Sequence, residues 1–215
     1  MSTRTTLIVT LVLVLIAIAF SLAVYNRLPD PMASHWNIND QVNGYMPRFL
    51  GAFLVPIISI GMLGLFLLIP SIDPLKANIA KFREAFNAFI ALIMVFLLFV
   101  HFLTLLWNLG FQNFGMGQAQ LPGVGLIFVF AGIMMRKAKR NFFIGIRAPW
   151  TLSSDRVWDE THRVGSWLFI AMGIVTMFTG FLGQAGVYVM FGAILIGVLV
   201  PVIYSYVLYQ QELKS

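Results

Sequence analysis

The sequence predicts an all-α membrane protein of six transmembrane helices with both termini in the cytoplasm. Three observations carry that prediction. Hydrophobic residues fill 60% of the 215 positions and charged ones 10%, against about 45–50% and about 25% in soluble domains. Apolar runs close to 20 residues long recur, the length that crosses a hydrocarbon core of roughly 30 Å. Finally, Lys and Arg gather on alternate connecting segments, as cytoplasmic loops require.

The first span reads as Leu7 to Tyr25, too long an apolar core for a signal peptide despite the small residues Ala17-Ile18-Ala19. A polar segment, Asn26 to Arg48, follows; its prolines and the Asn43-Gly44 pair mark turns rather than helix. The second span covers about Phe49 to Ile69 and contains Pro56, tolerated where neighbouring helices satisfy the freed backbone groups. A connector with Lys76, Lys81 and Arg83 leads to the third span, about Ala85 to Leu109. The fourth, Val124 to about Met135, is short unless it begins near Ala119. The fifth runs from Gly165 to about Leu182. A tight turn at Gly183-Gln184-Ala185-Gly186 returns the chain through the sixth, Val187 to about Tyr209.

These spans form one integral membrane domain over 1–215, within which 7–70 and 120–210 stand out as N-terminal and C-terminal modules. Twelve of the 14 Lys and Arg fall on the side of the two termini, and only Arg27 and Arg48 on the other. The segment around His35 is therefore expected outside, and that between the fourth and fifth spans inside. The +6 formal charge reads as this topology signal, so no direct nucleic-acid binding is expected; the partner is the lipid bilayer. Arg136-Lys137-Ala138-Lys139-Arg140 would also attract anionic headgroups, at roughly 1 kcal/mol per residue. The absence of cysteine excludes disulfides, thiolate metal sites and cysteine nucleophiles.

Most of the polar chemistry lies in Asn141 to Gly165, NFFIGIRAPWTLSSDRVWDETHRVG. Pro149 makes its start extended, and Ser153-Ser154 offers an N-cap for a helix from about Asp155 that runs into the fifth span. Helical periodicity gathers Val157, Trp158, Thr161, Val164, Gly165 and Leu168 on one side. The first turns read as a short amphipathic interfacial helix with Trp158 anchored among the headgroups. Arg156, Glu160 and Arg163 cluster on another side, and Asp155, Asp159 and His162 share a third face. They offer a metal site or an acid–base set, or simply a solvated face with Asp159 paired to Arg163. Arg147, between Ile146 and Ala148 at the membrane boundary, needs a loop acid, a phosphate or backbone carbonyls.

Asn141, Gly145-Ile146-Arg147, Pro149, Trp150-Thr151, Trp158, His162 and Gly165 together resemble the signature of SdpI-type membrane immunity proteins, over about the last 90 residues. Leu28-Pro29, Pro31, His35-Trp36-Asn37 and Asn43-Gly44-Tyr45 resemble an uncharacterised module that often precedes that signature, with Asp40 standing where the module usually has Gly. The resemblance implies a six-helix protein of the bacterial plasma membrane that protects its cell from a secreted, membrane-active peptide toxin. It further implies capture of a cytoplasmic autorepressor at the membrane. Asn141, Gly145, Arg147, Pro149, Thr151, Trp158 and His162 are then the candidate functional residues inside, and Pro29, His35, Trp36, Asn37 and Gly44 those outside. No cofactor, catalytic group or metal is expected on this reading. The alternatives are a small membrane enzyme acting on lipid or peptide through Asp155, Asp159 and His162, and a transporter. Against the transporter, the spans hold essentially one ionisable group, His101, where ion pathways need several.

Within the spans, His101 and Asn87 read as hydrogen-bonded polar groups of the third helix. Gly173, Gly180, Gly183 and Gly192 read as points of close helix contact.

Overall fold

The computed structural model describes residues 1–214. Among them are six helices long and apolar enough to cross a membrane: α1 (Thr3–Val24), α2 (Arg48–Ile72), α4 (Arg83–Asn108), α5 (Met116–Met135), α7 (Asp155–Thr179) and α8 (Gln184–Glu212), with two short helices between them, α3 (Lys76–Lys81) and α6 (Pro149–Ser153). The six-span reading holds. α5 begins earlier than its apolar run, taking in Pro122. The turn before α8 is a 3-10 turn at Gly180–Leu182 followed by Gly183 at φ 55, so Ala185 and Gly186 belong to the helix instead.

The fold is not wholly helical. Met32–Trp36 (β1) and Val42–Met46 (β2) form an antiparallel hairpin. Its turn is Asn37–Gln41, not Asn43-Gly44, which lies in β2. The Asn37 side-chain oxygen accepts the N–H of Asn39 at 2.9 Å and of Gln41 at 3.0 Å, an Asx turn. Gly44 sits opposite His35 because a Cβ there would lie 2.8 Å from the His35 Cβ.

The helices form two lobes of three. In the first, α1, α2 and α4 pack through large side chains, with Phe20 against Phe102 at 4.6 Å between ring centroids. Ser21 donates to the Ala52 carbonyl at 2.7 Å, so its oxygen accepts from His101 Nε2, 2.8 Å away. In the second, α7 lies between α5 and α8, and α5 and α7 meet backbone to backbone. A Cβ on Gly125 would lie 2.5 Å from the Gly173 carbonyl oxygen, one on Gly173 equally close to that of Gly125, and one on Gly132 2.6 Å from the Ser166 carbonyl. The seven-residue spacing of both pairs keeps the small positions on one seam, as membrane helix packing favours. Gly173 thus has the expected role. Gly183 and Gly192 do not, since a Cβ on either would meet nothing within 4 Å, and Gly180 makes only ordinary contact distances.

Both termini, α3 and the α5–α7 segment lie at one end of the bundle, here the terminal face; the hairpin and the α7–α8 turn lie at the other, the hairpin face. Side-chain to backbone bonds tie the lobes at both. At the hairpin face Asp40 Oδ1 accepts the Gly117 N–H at 2.6 Å. At the terminal face Asp73 accepts the N–H groups of Leu75 and Phe142 at 2.6 and 2.9 Å, and Asn78 donates to the Arg140 carbonyl at 2.9 Å.

Candidate functional site

The segment from α5 to α7 folds back over the first turns of α7, and its signature residues mostly bond to one another. Asn141 is fully buried and uses its whole amide: Oδ1 accepts from the N–H groups of Phe143 (2.9 Å) and Ile144 (2.6 Å), and Nδ2 donates to the carbonyls of Lys139 (2.8 Å) and Ile144 (2.9 Å). That turn delivers Gly145, at φ 111, against the imidazole of His162, where any Cβ would collide with Nε2. Glycine is required twice there, by dihedral and by space.

His162 Nε2 accepts the Ile146 N–H at 3.0 Å, and Nδ1 donates to the Trp158 carbonyl at 2.8 Å. An acceptor nitrogen carries no proton, so these bonds define a neutral ring with its hydrogen on Nδ1. The ring stacks on Trp158, 4.0 Å away and inclined by 19°. Thr151 closes the loop: its hydroxyl accepts the Ala148 N–H at 2.8 Å and lies 3.0 Å from the Ile146 and Ala148 carbonyls. Pro149 opens α6, at the first helical position, where its missing N–H costs nothing. Trp150 donates to Ser205 on α8 at 2.7 Å.

Three expectations need correcting. Trp158 is not a headgroup anchor: it is 0% exposed, and its indole N–H donates to the Ala138 carbonyl at 3.0 Å. The segment 136–148 covers it, which helical periodicity alone cannot register. The buried face of α7 accordingly includes His162 and Ser166 rather than Val164 and Leu168. Arg147 takes the last of the three partners expected for it, a backbone carbonyl rather than a loop acid: its guanidinium donates to the Phe142 carbonyl at 2.6 Å. Asp159 pairs with Lys139 at 3.0 Å, Asp155 with Arg140 at 2.7 Å, and Arg163 with Glu160. These pairs follow from the fold-back, which sets the basic cluster beside the acids of α7. They are exposed or partly exposed, and such pairs contribute about 0–1 kcal/mol each.

Asp155, Asp159 and His162 therefore do not converge. The imidazole turns into the protein with both nitrogens bonded, while the carboxylates face outward; no group of three metal-ligating side chains occurs among the described residues. What the terminal face presents to a partner is different: the exposed Phe142, Phe143 and Arg147, and two charged clefts that share the Lys139–Asp159 pair. Nothing in the sequence pattern points to Asp73, Asn78 or Ser205. Each acts on a backbone or side-chain group more than 50 positions away, and no local pattern encodes that.

At the hairpin face, His35 bonds Asn43 across the strands, and Trp36 and Trp107 meet in a T-shaped pair, 5.3 Å between ring centroids. Asn108 substitutes for a third strand, accepting the Ala33 N–H at 2.8 Å and donating to the Ala33 carbonyl at 3.0 Å. Pro29 precedes the hairpin. Asp40 has φ 56, the left-handed conformation that Gly adopts freely and Asp tolerates, so the replacement keeps the turn and adds a carboxylate. That carboxylate caps α5 from another element, which is why α5 starts at Met116.

Fold and site define a multi-pass helical membrane protein with a folded polar assembly at each end of the bundle. The SdpI/YfhL protein family matches residues 137–205, and a domain of unknown function (DUF1648) matches residues 12–60. The chain is 25% identical over 205 residues to the "Immunity protein SdpI" of Bacillus subtilis (strain 168), covering 95% of this chain and 96% of that protein. The resemblance to SdpI-type immunity proteins is thus borne out, in both the signature and the module that precedes it. No solved structure matches.

Proposed function

We propose that this chain is an integral membrane immunity protein that protects its cell against a secreted, membrane-active peptide toxin, with the hairpin face outside and the terminal face in the cytoplasm. The carrying observation is similarity along nearly the whole chain to a protein named for immunity. The twelve-to-two partition of Lys and Arg supports the orientation. On this reading the hairpin, with Pro29, His35, Trp36, Asn37 and Gly44, meets the toxin side. Asn141, Gly145, Pro149, Thr151, Trp158 and His162 are the scaffold that presents Phe142, Phe143 and Arg147 to a cytoplasmic repressor.

Expression in a toxin-sensitive bacterium tests the first half, and survival is expected. Killing unchanged by every related peptide tried would overturn it. Co-expression with a fluorescent repressor from a toxin–immunity operon tests the second: recruitment to the membrane should appear with toxin and fall when Arg147→Ala and Phe143→Ala are combined. The membrane-enzyme reading has lost its geometric basis, since His162 has no free ring nitrogen.

A further inference from the structure

Between the hairpin turn and the hairpin-face ends of α5 and α8 lies a cavity of about 350 Å³, within the size range of small-ligand sites. Neither lobe forms it alone: the hairpin belongs to the first, the helix ends to the second. Leu121, Val187 and Met190 line its apolar part, and Asp40, Gln118 and Gln184 are among its polar lining.

The polar lining is held in place before any ligand arrives. Asp40 is fixed through Oδ1 by the Gly117 N–H, while its other oxygen lies over Gly115, where a Cβ would displace it. Gln184 Nε2 donates to Asn39 Oδ1 at 3.2 Å, again across the lobes. Phe181, between the lining residues Gly180 and Gly183, is 87% exposed.

Chemistry narrows the occupant. Asp40 is the one formally charged residue of the lining, so a phosphate headgroup is repelled and an ammonium or guanidinium attracted. The Gln118 and Gln184 amides both donate and accept, as a peptide backbone does. The apolar part takes one or two aliphatic side chains. We propose that this cavity binds a peptide that presents a positive charge beside an apolar side chain; under the immunity reading, on which this rests, it is where the toxin is held.

The test uses the full-length chain in lipid nanodiscs, with a photo-crosslinkable form of the secreted peptide toxin that SdpI-type proteins counter, alongside the survival assay. Leu121→Trp with Val187→Trp fills the apolar part. Asp40→Asn removes the charge yet keeps an acceptor for the Gly117 N–H and a side chain at ease with positive φ. Gly64→Leu, on a face where a Cβ meets nothing within 4 Å, is the control. The double Trp variant should lose protection and at least tenfold of the labelling. Asp40→Asn should weaken labelling up to about fivefold, and acetylating the peptide's amino groups should abolish that difference. Should the double variant fail to accumulate, Leu121→Phe and Asp40→Asn decide.

Wild-type protection and labelling that survive every filling variant overturn the cavity but leave the immunity reading standing. Absence of both protection and labelling overturns the two together. Equal competition by short-chain phosphatidylglycerol overturns the peptide assignment in favour of a lipid.

Discussion

The two lobes solve the same packing problem in opposite ways. α1, α2 and α4 interlock bulky side chains, with Val14, Leu63, Phe86, Ile90 and Met94 in one buried cluster and polar ties at Ser21–His101 and at Asn87–Thr3. α5 and α7 instead bring their backbones together at Gly125, Gly132 and Gly173. An interlocked core relaxes around a change of side chain; a backbone contact has nothing to move aside. The second lobe carries the signature loop, and a fixed α5–α7 geometry is what that loop needs, because its bonds run from Ala138 after α5 to Trp158 and His162 in α7.

The largest effect that sharpens this difference is Trp158→Ala. It empties the space between the loop and α7 and orphans the Ala138 carbonyl, at about 3–5 kcal/mol, read by thermal unfolding of the purified protein. Trp36→Ala in the first lobe, where the ring is only partly buried, should cost clearly less; equal losses would erase the contrast. Next comes Gly125→Leu, expected at the upper end of about 1–3 kcal/mol for overpacking, beside Gly64→Leu in α2, expected to be near neutral. Comparable drops in melting temperature would show that the glycine seam is not special.

The two buried histidines make a finer comparison. His162→Leu leaves the Ile146 N–H unpaired, at about 1–3 kcal/mol, and should raise hydrogen exchange over residues 141–148. His101→Leu leaves Ser21 still bonded to Ala52 and should cost about 0.6 kcal/mol, the average for such bonds between membrane helices. Smallest is Asp40→Gly, which keeps the turn and loses one solvent-exposed interlobe bond, about 0.5 kcal/mol. Its signature is faster proteolysis of the hairpin with little change in unfolding temperature.

The contrast also shows what the sequence could and could not reveal. Apolar runs of membrane length disclose six helices because the bilayer imposes that length on each independently. The folded loop was legible as a set, since Asn141, Gly145, Thr151, Trp158 and His162 do come together. The environment of Trp158 was not, because a helical wheel describes one helix and not the segment laid across it. The start of α5 was hidden for a related reason: its cap is Asp40, 77 positions away. Asn43-Gly44 looked like a turn because glycine serves both turns and crowded strand positions, and only the partner strand distinguishes them.

Four of the interlobe and hairpin ties have one trait in common. Asp40, Asp73, Asn78 and Asn108 each spend a side chain, and the receiving group is always main chain, at Gly117, Phe142, Arg140 and Ala33. Every amino acid except proline offers the same N–H and C=O. Phe142 and Arg140 can therefore be exchanged without breaking the tie that lands on them, and the rule binds only the giving residue. The exposed loop of the terminal face can in this way drift in composition while the two lobes stay in register.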